Sequence, residues 1–113
     1  MIAFREVAGE MSTSDKREIR SRLRVILEHL LKLDYLPELC DRNQAGWQRT
    51  LSNERKGLAV ALRGSPARND MLSQSEIDGA YAYVLDRFER EFPGARIPTK
   101  CPYRIGQILG RTG

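Results

Sequence analysis

Two apolar stripes at helical spacing constrain this chain more than any other feature: Ile19, Leu23, Ile26, Leu27, Leu30 and Leu31, then Trp47, Leu51, Leu58 and Leu62. Residues three and four apart share one face of an α-helix, so each stripe describes a helix with one side that must leave water. Two such helices in tandem bury their stripes against each other, and the fold class that follows is all-α. With 113 residues the chain can build one such core but not two, so a single helical domain over residues 1–113 is expected. No run approaches the roughly 18 uninterrupted apolar residues of a membrane helix. The start, Met1 to Glu6, lacks the basic-then-apolar layout of a secretory signal. A cytoplasmic protein without a membrane partner is expected.

Punctuation between the stripes places the remaining elements. Phe4, Val7, Ala8 and Met11 suit a short first helix over residues 2–11, which the polar run Ser12 to Asp15 ends. Ser or Asp in that run can accept the free amides of a new first turn, and Asp15 with Glu18 has capping-box-like spacing, so a second helix is predicted from about residue 14. It should stop near Tyr35, because Pro37 pushes the residue before it out of helical geometry. Leu36 to Asn43 then reads as a connection, and Gln44 to Arg63 as a third helix capped by Gly64. Gly57 inside it costs about 1 kcal/mol relative to alanine, so packing must hold that turn. A fourth helix, Pro66 to Glu91, carries Ile77, Tyr81, Val84, Leu85, Phe88 and Phe92 on one side, with a possible second capping site at Ser73 to Ser75. Pro93, Gly94, Pro98 and Pro102 forbid a continuous helix beyond it. The resulting expectation is a four-helix bundle-like domain with an extended C-terminal strap and a short terminal helix, Pro102 to Leu109.

Chemistry is harder to find. His29 is the only histidine and lies at the edge of the first stripe, where a ring usually packs and donates to a carbonyl or carboxylate. Cys40 and Cys101 are far apart in sequence and read as free thiols; neither they nor His29 make a metal site, and no glycine-rich phosphate loop is present. No catalytic residue, metal or cofactor is therefore expected. Trp47 reads as the largest core anchor of the third helix, with its indole N–H tied to a backbone carbonyl. Glu28 stands one turn from Arg24 and Lys32, the spacing of surface ion pairs.

Cations offer the alternative. Nineteen Lys and Arg face fifteen Asp and Glu, a formal net charge of +4. Arg17, Arg20 and Arg24 share one face of the second predicted helix, and Arg49, Lys56 and Arg63 recur every seven residues on the third. Two such ridges can straddle phosphates and release their counterions. Glu18, Glu28, Glu54 and Asp78 are interleaved with these cations, as on ordinary solvated faces.

The order Ser21 to Lys32, Tyr35, Pro37, Gly46-Trp47, Thr50, Arg55, Leu58, Ser65-Pro66, Tyr81, Cys101-Pro102-Tyr103 and Ile108-Leu109 resembles the bacterial domain-of-unknown-function family 29. The likeness runs from Phe4 almost to the end, and members of that family commonly carry a longer N-terminal extension, so the chain resembles a short member. The resemblance implies an all-helical domain and no established activity, substrate or cofactor. On the residues themselves, His29, Tyr35, Trp47, Cys101, Pro102 and Tyr103 are expected to meet in one packed cluster. The function expected is a non-enzymatic interaction module that binds a protein partner or forms a homo-oligomer. A nucleic-acid-binding domain using the arginine ridges is the alternative.

Overall fold

The first stripe becomes α1 (Thr13–Tyr35), and its start is set by Ser12, whose Oγ accepts from the Asp15 N–H at 3.1 Å. The cap is thus a serine of the polar run, one of the two residue types expected there, with Asp15 supplying the amide and its charge to the first turn; the Asp15–Glu18 pair does not set the start. In the computed structural model, which describes residues 12–63 and 70–110, three further helices follow: α2 (Pro37–Ala61), α3 (Gln74–Glu91) and α4 (Ile105–Leu109). No strand occurs among the described residues, and the fold is all-α. The predicted helix over residues 2–11, the Gly64 cap and the Ser65-Pro66 start lie outside the described residues.

Where the expected connection Leu36 to Asn43 was placed, the chain is already helical. Proline lacks an N–H, but the first turn of a helix needs none, so Pro37 opens α2 instead of delaying it. Only Leu36 separates the two helices: its N–H closes α1 on the Lys32 carbonyl at 3.1 Å, and its own carbonyl accepts from Leu39 N–H at 3.1 Å. The early start moves Trp47 to the third turn of α2. There it is half-buried and outside the core, its ring 5.7 Å from the Lys32 ammonium, so it is not the core anchor that its size implied. α3 starts at Gln74, where Ser73 Oγ takes the Glu76 N–H, so the second capping site expected at Ser73 to Ser75 is in use.

α1 is the central element. α2 and α3 both pack on it and make no substantial contact with each other, while α4 touches α1 and α2. Side-chain pairs between the helices show the directions. Arg22 of α1 meets Glu54 late in α2, so the two helices are antiparallel, whereas Arg20 meets Glu76 and Arg24 meets Tyr83, so α3 runs parallel to α1. Ile19, Leu23, Ile26, Leu27 and Leu31 of α1 are fully buried between Leu51 and Leu58 on one side and Ile77, Tyr81, Val84 and Phe88 on the other. Each such side chain contributes about 1.5–3 kcal/mol on leaving water.

The strap returns along this core, held by three side chains of the long helices. The Tyr81 hydroxyl donates to the Pro98 carbonyl at 2.6 Å, the Tyr103 hydroxyl donates to Asp34 Oδ2 at 2.6 Å, and Arg55 donates to the carbonyls of Gln107 and Ile108. Those carbonyls belong to the last turn of α4, where the Gly110 N–H also reaches Gln107 at 3.2 Å, and Arg55 adds side-chain donors to a helix end that runs short of backbone ones. Gly110 leaves the helix at φ +79°, and a Cβ there would press on Arg55 Cδ at 3.0 Å, so this glycine serves both the left-handed turn and the arginine. α4 begins at Ile105, three residues later than expected, where the Gln107 side chain accepts from the Arg104 N–H at 2.9 Å.

Candidate interaction surfaces

The flank of α1 that meets α3 gathers Arg17, Arg20 and Arg24. With Thr13, Lys16 and Ser21 they line a shallow groove of about 460 Å³. Their situations differ. Arg17 is exposed, and Arg20 is forked onto Glu76, Nε to Oε1 at 3.1 Å and Nη2 to Oε2 at 3.5 Å. The Arg24 guanidinium lies over Tyr83, its central carbon 3.8 Å from the ring centroid, and its Nε is shut off from water without a hydrogen-bond partner among the described residues. Arg87 reaches the same ring at 5.9 Å, and Tyr83 itself stays 45% exposed.

Arg49 and Lys56 are exposed on α2, on the side away from Leu51 and Leu58, whereas Arg63, expected on the same helix, is exposed in the turn just past its end. α1 carries the first set on its flank toward α3, and Arg22, the arginine of α1 that turns toward α2, is paired with Glu18 at 3.1 Å and Glu54 at 3.4 Å. Its guanidinium occupies the space a side chain at position 57 would fill, and this is the packing that the Gly57 turn required. The first ridge is one surface; the second faces elsewhere.

Of the expected cluster, Tyr103, Cys101 and Tyr35 come together where the strap crosses the end of α1. Tyr103 is buried, the Cys101 thiol donates to the Tyr103 carbonyl at 3.4 Å, and Tyr35 packs on the core beside them. Burial first, and then the hydrogen bond to Asp34, pushes the Tyr103 hydroxyl far above its ordinary value. Burial, helped by Cys101, Tyr35 and Glu89, pushes Tyr81 up to about 12, and burial raises the Cys101 thiol as well. Pro102 between them is exposed. His29 lies on α1 with Nδ1 2.8 Å from the Val25 carbonyl; a carbonyl only accepts, so Nδ1 carries the proton. Trp47 meets Lys32, which also pairs with Glu28 at 3.1 Å. Among the described residues no three His, Cys, Asp or Glu side chains group as a metal ion would need.

Two further concavities were not visible in the sequence. Gln74, Asp78, Leu85 and Glu89 of α3 face Thr99 and Lys100 of the strap across a groove of about 600 Å³ with Tyr81 in its wall. At the α1–α2 turn, Tyr35, Leu36, Leu39, Phe92, Pro93 and Ala95 form an apolar notch of about 450 Å³ whose rim carries Glu38, Glu91 and Arg96. Tyr83 did leave a signal: it lies off the apolar stripe of its helix, and an aromatic on the wet side of an amphipathic helix marks a surface.

With this geometry in hand, comparison with known families decides the kinship: residues 5–112 match the model of Domain of unknown function DUF29. The chain belongs to the DUF29 family. This is the family that the order of residues from Ser21 to Leu109 resembles, and the DUF29 match takes in both ridges, the strap and the Tyr103 contact. No curated protein and no solved structure matches the chain. No helix among the described residues is long and apolar enough to cross a membrane. The DUF29 description names no activity, so function rests on the surfaces.

Proposed function

We propose that this DUF29 domain is a non-enzymatic interaction module that pairs with a second copy of itself through the notch at the α1–α2 turn. The observation that carries this reading is Leu39, a large apolar side chain 41% exposed on the lip of an apolar notch. Its rim holds Glu38 and Glu91 beside Arg96, and a patch bearing both signs is self-complementary across a two-fold axis, arginine of one copy against carboxylates of the other. Leu39 of each copy then fills the notch of its partner. The exposed first turns of α2 beside it supply area toward the roughly 800 Å² per partner of a stable interface.

Sedimentation velocity over a concentration series tests this. The wild-type chain is expected to show a concentration-dependent dimer, and Leu39→Asp, which puts a charge into the notch, a monomer of unchanged helicity. A wild-type monomer throughout, or a Leu39→Asp dimer as tight as wild type, contradicts the proposal.

A second reading, binding of nucleic acid through cations, is favoured by one observation only: Arg17, Arg20 and Arg24 share a groove that ends at an exposed tyrosine. The α2 ridge, Arg49, Lys56 and Arg63, lends it no shared surface.

A further inference from the structure

We infer that the α1–α3 flank is a binding site for single-stranded nucleic acid, with Tyr83 as a stacking platform for a base and Lys16, Arg17 and Arg24 as the track for its phosphates. The inference rests on the second reading above and gives it a place and a substrate class.

Four observations meet here. First, Thr13, Lys16, Arg17, Arg20, Ser21 and Arg24 line one groove, so cations recur along it at each helical turn, about 5.4 Å apart. Second, the groove leads to a ring. Arg24 belongs to the groove and also to the adjoining depression of about 170 Å³, lined by Ser21, Glu28, Tyr83, Val84 and Arg87. Third, Arg24 covers one part of the Tyr83 ring while nearly half of that residue stays in solvent, so the ring is held in place and still open to a stacking partner. Fourth, two acids of this flank are already engaged, Glu76 by Arg20 and Glu28 by Lys32, and among the described residues Lys16, Arg17, Arg24 and Arg87 face it without a carboxylate in an ion pair with them.

These features select among polyanions. A duplex hides its bases, and an acidic peptide has none, so neither makes use of an aromatic ring at the end of a cationic track. A single strand offers phosphates and flat bases together, and stacking tolerates any base because each has a π-face. Phosphate contacts then supply affinity without sequence preference.

Fluorescence anisotropy tests this with the full chain and four probes at low and physiological salt: a labelled oligothymidylate and an oligouridylate about a dozen nucleotides long, a duplex of the same length, and an oligoglutamate. Single strands are expected to bind more tightly than the duplex. Lys16→Ala and Arg17→Ala should each lower the log–log salt slope by about 0.7. Tyr83→Ala should lose about tenfold or more in affinity with the salt slope retained, and Tyr83→Trp should restore it. Urea denaturation of each variant separates lost binding from lost folding. Equal binding of strand and duplex, unaffected by Tyr83→Ala, overturns the site and leaves the cationic reading standing. No binding to any polyanion at low salt overturns both, and oligoglutamate bound as tightly as oligothymidylate assigns the flank to an acidic protein and overturns the nucleic-acid assignment.

Discussion

Arg22 and Arg24 stand two residues apart on α1 and meet opposite fates. Toward α2, Arg22 is clasped by Glu18 and Glu54 and lies in the gap left by Gly57. Toward α3, Arg24 rests on an exposed tyrosine with its Nε sealed from water and unbonded. The α2 flank satisfies its polar groups within the chain, as structural faces do. The α3 flank leaves a buried donor unmatched, which costs stability, and an aromatic ring wet. Identical residue types thus divide into a flank whose arginine is matched by carboxylates and one whose arginine is not, and the second is the flank proposed to bind.

The largest expected effect comes from removing what both flanks share. Leu27 is fully buried, and Leu27→Ala is expected to lower unfolding free energy by about 2–5 kcal/mol in urea titration, with the whole helical signal lost in one transition. Two separated transitions would show that the flanks are independent and would break the comparison.

Next in size is the strap on the structural side. Tyr103→Phe leaves Asp34 without its donor and is expected to cost about 1.5–3 kcal/mol. It also changes the alkaline limit. Tyr103 and Tyr81 hold their protons more tightly when folded, so the folded chain binds more protons than the unfolded one above pH about 10. Their contribution is complete below that pH and is lost as pH rises toward and through the value of about 12 for Tyr81. Urea midpoints measured from neutral pH upward should fall in that window for the wild type and less steeply for Tyr103→Phe. Arg55→Ala removes the side-chain donors to the last carbonyls of α4 and is expected to cost about 1–2 kcal/mol, read as a lower urea midpoint and faster amide exchange at residues 105–109.

Much of this architecture is legible in the residues, and the exceptions have causes. The stripes of α1 and α3 name their buried faces correctly because burial on one side imposes its period on the sequence: Ile19, Leu23, Ile26, Leu27 and Leu31 are all in the core. Pro37 misleads because proline marks both the end of one helix and the first turn of the next, and here a single residue lies between the two. Trp47 misleads because size shows that a side chain prefers burial, not that a neighbour is there to bury it. The surfaces are less legible still. Charge is written in the sequence, but partners are not: nothing local tells Arg22, matched with a carboxylate 32 positions away, from Arg24, stacked on a ring 59 positions away. Gly57 reads as a weak point in a helix until Arg22 is seen to occupy its place. The notch around Leu39 joins residues 35–39 with residues 91–96 and has no sequence pattern of its own.

The smallest effect is the most discriminating, because it differs in sign. Methionine resembles arginine in length but has neither charge nor donors. Urea denaturation of Arg22→Met and Arg24→Met at neutral pH and low salt therefore compares the two flanks at equal volume. Arg22→Met strands Glu54 and Glu18 and is expected to lower unfolding free energy by about 1 kcal/mol. Arg24→Met removes the unmatched buried Nε, keeps a favourable contact with the Tyr83 ring and is expected to leave the midpoint unchanged or raise it. An Arg24→Met protein destabilised as much as Arg22→Met or more would show that the α3 flank holds the fold, and would contradict its assignment as a binding face.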